Sequence, residues 1–255
     1  MPQKRLNTMD RIRAKTAFKA YVEKYNIENI NIRLKIDHTY RVAQFCERIS
    51  KSLTENASDI ELAWLLGLLH DIGRFEQLKR YNTFVDKDSI DHADLGADIL
   101  FSNGLIYEFI DEQEVFPLIE AAIRFHNKLK VPEDLDENTL AFTNILRDAD
   151  KCDICRVICE PPFNGRARAI LASPEPARDL VMNCIKEHRC VPRTFTTTPF
   201  ESLLSQCCLA FELVFEESRG IVKEQGYLNR LMNIHLMSPL REQMDFLREE
   251  LREYI

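Results

Sequence analysis

The sequence predicts an all-α protein. Apolar residues recur at helical spacing along almost the whole chain, and strand-like alternation is scarce. Helix punctuation is plentiful: Ser58-Asp59-Ile60-Glu61 and Thr198-Pro199-Phe200-Glu201 both have the form of a capping box, the second with proline at the first helical position. Taken in order, a first helix is expected over about Met9–Tyr25. A second is expected from Asp37 to Leu53, with Ile36, Tyr40, Ala43 and Ile49 among its apolar positions. Ser58 is expected to cap the next helix, ELAWLLGLLHD, which is apolar nearly all round and so belongs at the centre; Gly73 is expected to end it. Ser89 is expected to cap a helix through Asp98 and Leu100, stopped by Asn103-Gly104. Two more fit about Asp111–Leu129 and Asn138–Cys159.

The breaker PPFNG at Pro161–Gly165 divides a core of residues 1–160 from a helical extension, 161–255, expected to pack on that core. The extension reads as a helix after Pro174, a loop across Val191–Thr197, the helix capped by Thr198, and a final amphipathic helix from Ser238-Pro239, LREQMDFLREELREYI. Such a stripe usually packs on its own domain, though a homodimer seam is an alternative use.

Composition narrows the function. The 255 residues are 45% hydrophobic and 29% charged, with 41 acidic against 34 basic side chains and a net charge of -7. That balance argues against a general nucleic-acid or anionic-membrane binder, which needs clustered Lys and Arg. Only 7 glycines are present, and no dinucleotide or P-loop glycine motif can be written. No apolar run reaches membrane-span length, and MPQKRLNTMDRIR lacks the apolar core of a signal peptide, so a cytoplasmic protein is expected. Among the 8 cysteines, Cys152, Cys155 and Cys159 share one helical stripe without a second CxxC half-site, and Cys207-Cys208 lie in an apolar stretch; buried thiols are expected.

The chemistry points to histidine and aspartate. His70-Asp71 end the most hydrophobic helix, where an ionised carboxylate needs a metal, a cation or several donors. His38, His92 and His126 lie on separate predicted helices, and RDADKCD adds Asp148 and Asp150. Together they exceed the ligand needs of one metal, and a mixed N/O set suits two borderline divalent ions such as Mn, Fe, Co, Ni or Zn.

The order H…HD…H…H…D, carried by HTYRVA, LLHDIGR, DHADLGADIL and RDADKCD, resembles the HD-domain superfamily of metal-dependent phosphohydrolases over about residues 30–160. The resemblance implies an HD-domain helical bundle and, with its two extra histidines, two metals. One would take His38, His70, Asp71 and Asp150, with Asp148 as the alternative ligand or an acceptor holding an imidazole. The other would take His92 and His126, with Asp71 bridging both. Two cations sharing a carboxylate can share a water acidic enough to give hydroxide near neutral pH, and that hydroxide would attack a phosphorus in line. Lys151 and Arg74 are candidate clamps for phosphoryl oxygens.

The expected activity is therefore hydrolysis of a phosphomonoester or phosphodiester of a nucleotide or small phosphorylated metabolite. The chain lacks the Gly-Tyr-Pro element of the cyclic-di-GMP phosphodiesterases, and has Arg74-Phe75 where alarmone hydrolases have Glu-Asp, so no narrower substrate follows. Two alternatives share the ligand set: an HD-fold di-iron oxygenase, and a non-catalytic metal or nucleotide sensor.

Overall fold

Every regular element in residues 9–161 and 165–254, which the computed structural model describes, is helical, as the apolar spacing predicts. The chain forms two compact units that divide between Asp150 and Lys151.

In the first unit, Asp10 caps α1 (Arg11–Val22) by accepting from the Ile12 and Arg13 amides. Helix α2 (Ile30–Leu53) begins at Ile30 rather than Asp37, because Asn29 supplies the cap by accepting from Asn31 N. His38 therefore lies well inside its helix.

Helix α3 (Ala57–Leu69) corrects the expected cap. Asn56, not Ser58, is the N-cap, and its Oδ1 accepts from Ser58 N at 3.1 Å. Glu61, expected to reach back, is drawn instead to Arg11 Nε at 2.5 Å.

Gly73 is likewise not a helix stop. Helix α3 ends at Leu69, and α4 (Ile72–Tyr81) resumes after His70-Asp71. The missing Cβ of Gly73 serves a close crossing with α5 (His92–Ala97), since a Cβ there would stand 2.2 Å from His92 O and 2.6 Å from Gly96 N. Gly67 does the same for α3 against α2, where a Cβ would meet Ala43 Cα at 2.5 Å. These two backbone contacts bring the ends of α3 and α5 and the middle of α2 together. Around them Leu65, Leu66, Leu68, Leu69 and Ile72 are fully buried, each contributing about 1.5–3 kcal/mol.

The cap of α5 is Asp91, accepting from Ala93 N and Asp94 N, and not Ser89. Ser89 donates to Val85 O and accepts from Gln77 Nε2. A π-helical turn over Asp98–Ser102 follows, and the run stops at Asn103-Gly104, where Gly104 has φ 73°. Helix α6 (Phe116–Phe125) is shorter than the expected Asp111–Leu129. Residues Gln113–Val115 form a 3-10 turn, and His126 is the C-cap. Beyond that end, Arg147 Nη1 donates to Phe125 O at 2.9 Å, a carbonyl that a longer α6 would have paired internally, and to Lys128 O at 2.5 Å. Helix α7 (Glu137–Cys159) matches its expectation within a residue.

The division between units falls inside α7, earlier in the chain than the PPFNG breaker. Residues 162–164 of that segment lie outside the described residues. In the second unit come α8 (Arg166–Ala172), α9 (Asp179–Lys186), α10 (Pro199–Cys207), α11 (Glu216–Gln225), α12 (Tyr227–Met232) and α13 (Leu240–Glu250).

Thr198 Oγ1 accepts from Glu201 N, the first half of the expected box. The Glu201 carboxylate reaches one residue further back than a box requires, to Thr197 N at 2.8 Å, and pairs with Arg178 Nε at 2.8 Å. The apolar stripe of the last helix, Leu240, Met244, Leu247 and Leu251, is buried within this unit. All eight cysteines are reduced; Cys46, Cys152, Cys155, Cys207 and Cys208 are buried and Cys159 is half-buried. Among the described residues no helix is long and apolar enough to cross a membrane.

Candidate metal centre

The crossings at Gly67 and Gly73 bring three histidines, His38, His70 and His92, to one carboxylate. Asp71 Oδ2 faces His38 Nε2 at 3.6 Å and His70 Nε2 at 3.4 Å, while Oδ1 faces His92 Nε2 at 3.5 Å. Asp150 Oδ1, on α7, lies 3.1 Å from His38 Nε2 and 3.8 Å from His70 Nε2. His92 Nε2 and His126 Nε2 are 3.1 Å apart. Among the described residues three ligand groups result, within each of which the ligand atoms lie within 4.8 Å of one another: two that meet here, His38-His70-Asp150 and Asp71-His92-His126, and a half-buried third, Asp86-Asp91-His92. A cation about 2.1 Å from each donor needs its donors about 3–3.5 Å apart, and the Asp71 separations fall near that range.

Ring orientation gives an independent test of fit. His70 Nδ1 lies 2.7 Å from Gly67 O, and His126 Nδ1 lies 2.7 Å from Ile123 O. A carbonyl only accepts, so in the neutral form of both rings Nδ1 carries the proton and Nε2 presents a lone pair. His92 Nδ1 is held by Asp86 Oδ2 at 2.8 Å, which fixes the same tautomer. His92 and His126 therefore point lone pairs at each other. Burial, reinforced by Arg74, lowers the His92 pKa. Burial, then the neighbouring His92 and His70, brings His126 down to about 3. His126 therefore stays neutral near pH 7, and His70 Nε2 is buried without a hydrogen-bond partner. Lone pairs so arranged suit divalent cations, which satisfy them where a proton does not.

The carboxylates are held ionised. Burial alone would raise Asp71, but Lys35, His70 and Arg74 outweigh it and keep the carboxyl well below its usual range. For Asp150 the hydrogen bond and charge of His38 overcome burial in the same sense. Asp86 is lowered through His92 and Arg74. Asp71, Arg74, Asp86 and His92 close a ring: Arg74 Nε lies 3.5 Å from Asp71 Oδ1, Arg74 Nη1 donates to Asp86 Oδ1 at 2.8 Å, and Asp86 returns through His92.

The family model described as HD domain matches residues 36–155. This segment belongs to the HD-domain family. HD domains bind divalent metals and form a superfamily of metal-dependent hydrolases, and every residue of the two ligand groups falls inside the matched segment. Among curated proteins and solved structures, nothing matches the chain.

The remaining site candidates are distributed as follows. Asp148 is fully buried two residues before Asp150, about 200° around the helix, and is not in either ligand group. Arg74 is buried, with Nη1 also donating to Gln77 Oε1 and Phe84 O. Lys151 belongs to the second unit, where its ammonium lies 3.2 Å from Glu212 Oε2.

Two neighbours of these side chains are not indicated by the sequence. Lys35 Nζ lies 2.5 Å from Asp71 Oδ2, and its signal was its place one turn before His38, hidden while α2 was expected to begin at Asp37. Asp86 orients His92 from a 3-10 turn, Asp86–Asp88, where no helical spacing points to it.

Proposed function

We propose that the HD domain is a phosphohydrolase that holds two divalent cations and cleaves a phosphomonoester or phosphodiester of a nucleotide or small phosphorylated metabolite. One observation carries this reading: Asp71 divides its two oxygens between two separate imidazole groups, Oδ2 toward His38 and His70 and Oδ1 toward His92. A carboxylate so divided could serve as ligand to two ions and, with Asp150, would help hold them as a clamp of the kind used for in-line displacement at phosphorus.

In this reading His38, His70, Asp71 and Asp150 hold one ion, and Asp71, His92 and His126 hold the other. The cations, when bound, supply hydroxide near neutral pH and neutralise charge growing on the phosphoryl oxygens. The chain's own residues do the rest. The Gly67 and Ile123 carbonyls lock His70 and His126 so that no ring must turn during turnover. Asp86 holds His92 in the same way. Arg74 is fixed by Gln77, Phe84 O and Asp86, and its Nε is a buried donor with no hydrogen-bond partner. That places a fixed positive charge beside Asp71, suited to a phosphoryl oxygen.

The test is a panel of nucleotides and phosphoesters offered with Mn, Fe, Co, Ni or Zn. Phosphate or nucleotide release by the wild type, and its loss in folded His70→Ala and Asp71→Ala variants, is the expected result. Turnover unchanged in those variants would sink the assignment. Oxygen consumption by iron-loaded protein without phosphoester hydrolysis would replace it with the oxygenase chemistry, and ligand binding without any turnover would leave a sensor.

A further inference from the structure

Lys35 is a charged group at this site to which the reading above gives no role. On α2 it stands one turn before His38, and its ammonium meets Asp71 Oδ2, the oxygen that also faces His38 Nε2 and His70 Nε2. It thus occupies the side of Asp71 from which a cation held by His38, His70 and Asp150 would draw on that carboxylate.

Lys35 and Arg74 differ in freedom. Arg74 is fixed by three acceptors, Gln77 Oε1, Phe84 O and Asp86 Oδ1. Lys35 has a flexible four-carbon stem and a side chain 14% exposed, against 3% for Asp71, so it reaches inward from the solvent side. Both cations flank the half-buried Phe84 ring, with Lys35 Nζ 5.8 Å and Arg74 Cζ 5.9 Å from its centroid. An ammonium and a divalent ion on one carboxylate oxygen repel strongly where solvent is scarce. Lys35, the partner with the flexible stem, is the one able to give way, and its more exposed position leaves it free to meet an anion arriving from solvent.

We propose that Lys35 is an exchangeable counter-cation. It neutralises Asp71 when metal is absent, and when divalent ions take that carboxylate it transfers to a phosphoryl oxygen of the substrate. The identity of the anion rests on the phosphohydrolase reading; the competition for Asp71 does not.

Calorimetric titration tests both halves. Metal-free wild type, Lys35→Met and Lys35→Arg proteins are titrated with Mn²⁺ at pH 7, and the Mn²⁺-loaded forms then with inorganic phosphate. Lys35→Met should bind Mn²⁺ about three- to tenfold more tightly, its competitor being gone. Its phosphate affinity should fall about ten- to a hundredfold, the loss of one charge-assisted hydrogen bond, with recovery in Lys35→Arg. Unchanged or weaker Mn²⁺ binding by Lys35→Met overturns the proposal, as does unchanged phosphate affinity. Thermal melts check folding, and Lys35→Gln makes the same comparison if the Met variant does not fold. Phosphoester hydrolysis by the wild type alongside unchanged phosphate binding in Lys35→Met would remove Lys35 while leaving the function. Neither hydrolysis nor phosphate binding by the loaded wild type would remove both.

Discussion

At the residue scale the site turns on Asp71, whose two oxygens face different imidazoles across separations of 3.4–3.6 Å. A shared ligand and an unshared one should fail differently. Asp71→Ala should strip metal from both positions, whereas His92→Ala should leave about one equivalent of the two, read by elemental analysis of desalted protein. Equal losses from both variants would contradict the bridging arrangement. Asp86 touches no expected ion yet holds His92 Nδ1, so Asp86→Ala should weaken Mn²⁺ binding about 10- to 100-fold without unfolding the chain, as measured by calorimetry and circular dichroism. The identities of the imidazoles and carboxylates were legible because buried ionisable residues on apolar helices demand an explanation. Lys35 and Asp86 were not legible, since one is an ordinary helix lysine in sequence and the other lies in a turn.

At the element scale, caps and glycines set the geometry. The α3 cap is Asn56, so Asn56→Ala should cost about 1 kcal/mol in urea denaturation while Ser58→Ala costs a few tenths. The reverse order would restore Ser58 as the cap. Gly73→Ala forces a Cβ to within 2.2 Å of His92 O. Both atoms belong to backbone or its rigid attachment, so relief requires α5 to move. The expected cost is about 1–3 kcal/mol or more, together with weaker Mn²⁺ binding because His92 moves with its helix. Helix existence was readable from spacing, yet Gly73 was misread as a stop: a glycine that ends a helix and one that admits a neighbouring backbone look identical along the chain.

At the scale of the whole molecule, acid is the informative perturbant. Burial alone would raise Glu201, but Arg178 and the Thr197 and Arg178 amides outweigh it and bring it to about 2, from an ordinary 4.5. A carboxyl lowered on folding contributes fully above its unfolded value, and that contribution disappears as pH falls from about 4.5 toward 2. The expected loss is about 1–3 kcal/mol, the lower end allowing for the exposed half of Arg178. Urea midpoints at pH 7 and pH 3 should therefore converge in Glu201→Gln relative to wild type. An equal drop in both proteins would exclude this contribution. The division of the chain inside α7, between Asp150 and Lys151, was not legible, because a continuous helix carries no break signal where it passes from one unit to the next.

By itself the sequence determined the helical class, and it supplied the histidines and aspartates whose chemistry suits a metal and their order along the chain. These follow from local periodicity and from side-chain chemistry, which each residue carries wherever it is placed. Tertiary structure alone decided that Asp150 rather than Asp148 approaches His38 and His70, that Asp71 splits its oxygens, and that Lys35 and Asp86 join them. The physical reason is that two helix crossings close enough to exclude a Cβ, at Gly67 and Gly73, fix which faces of distant segments meet.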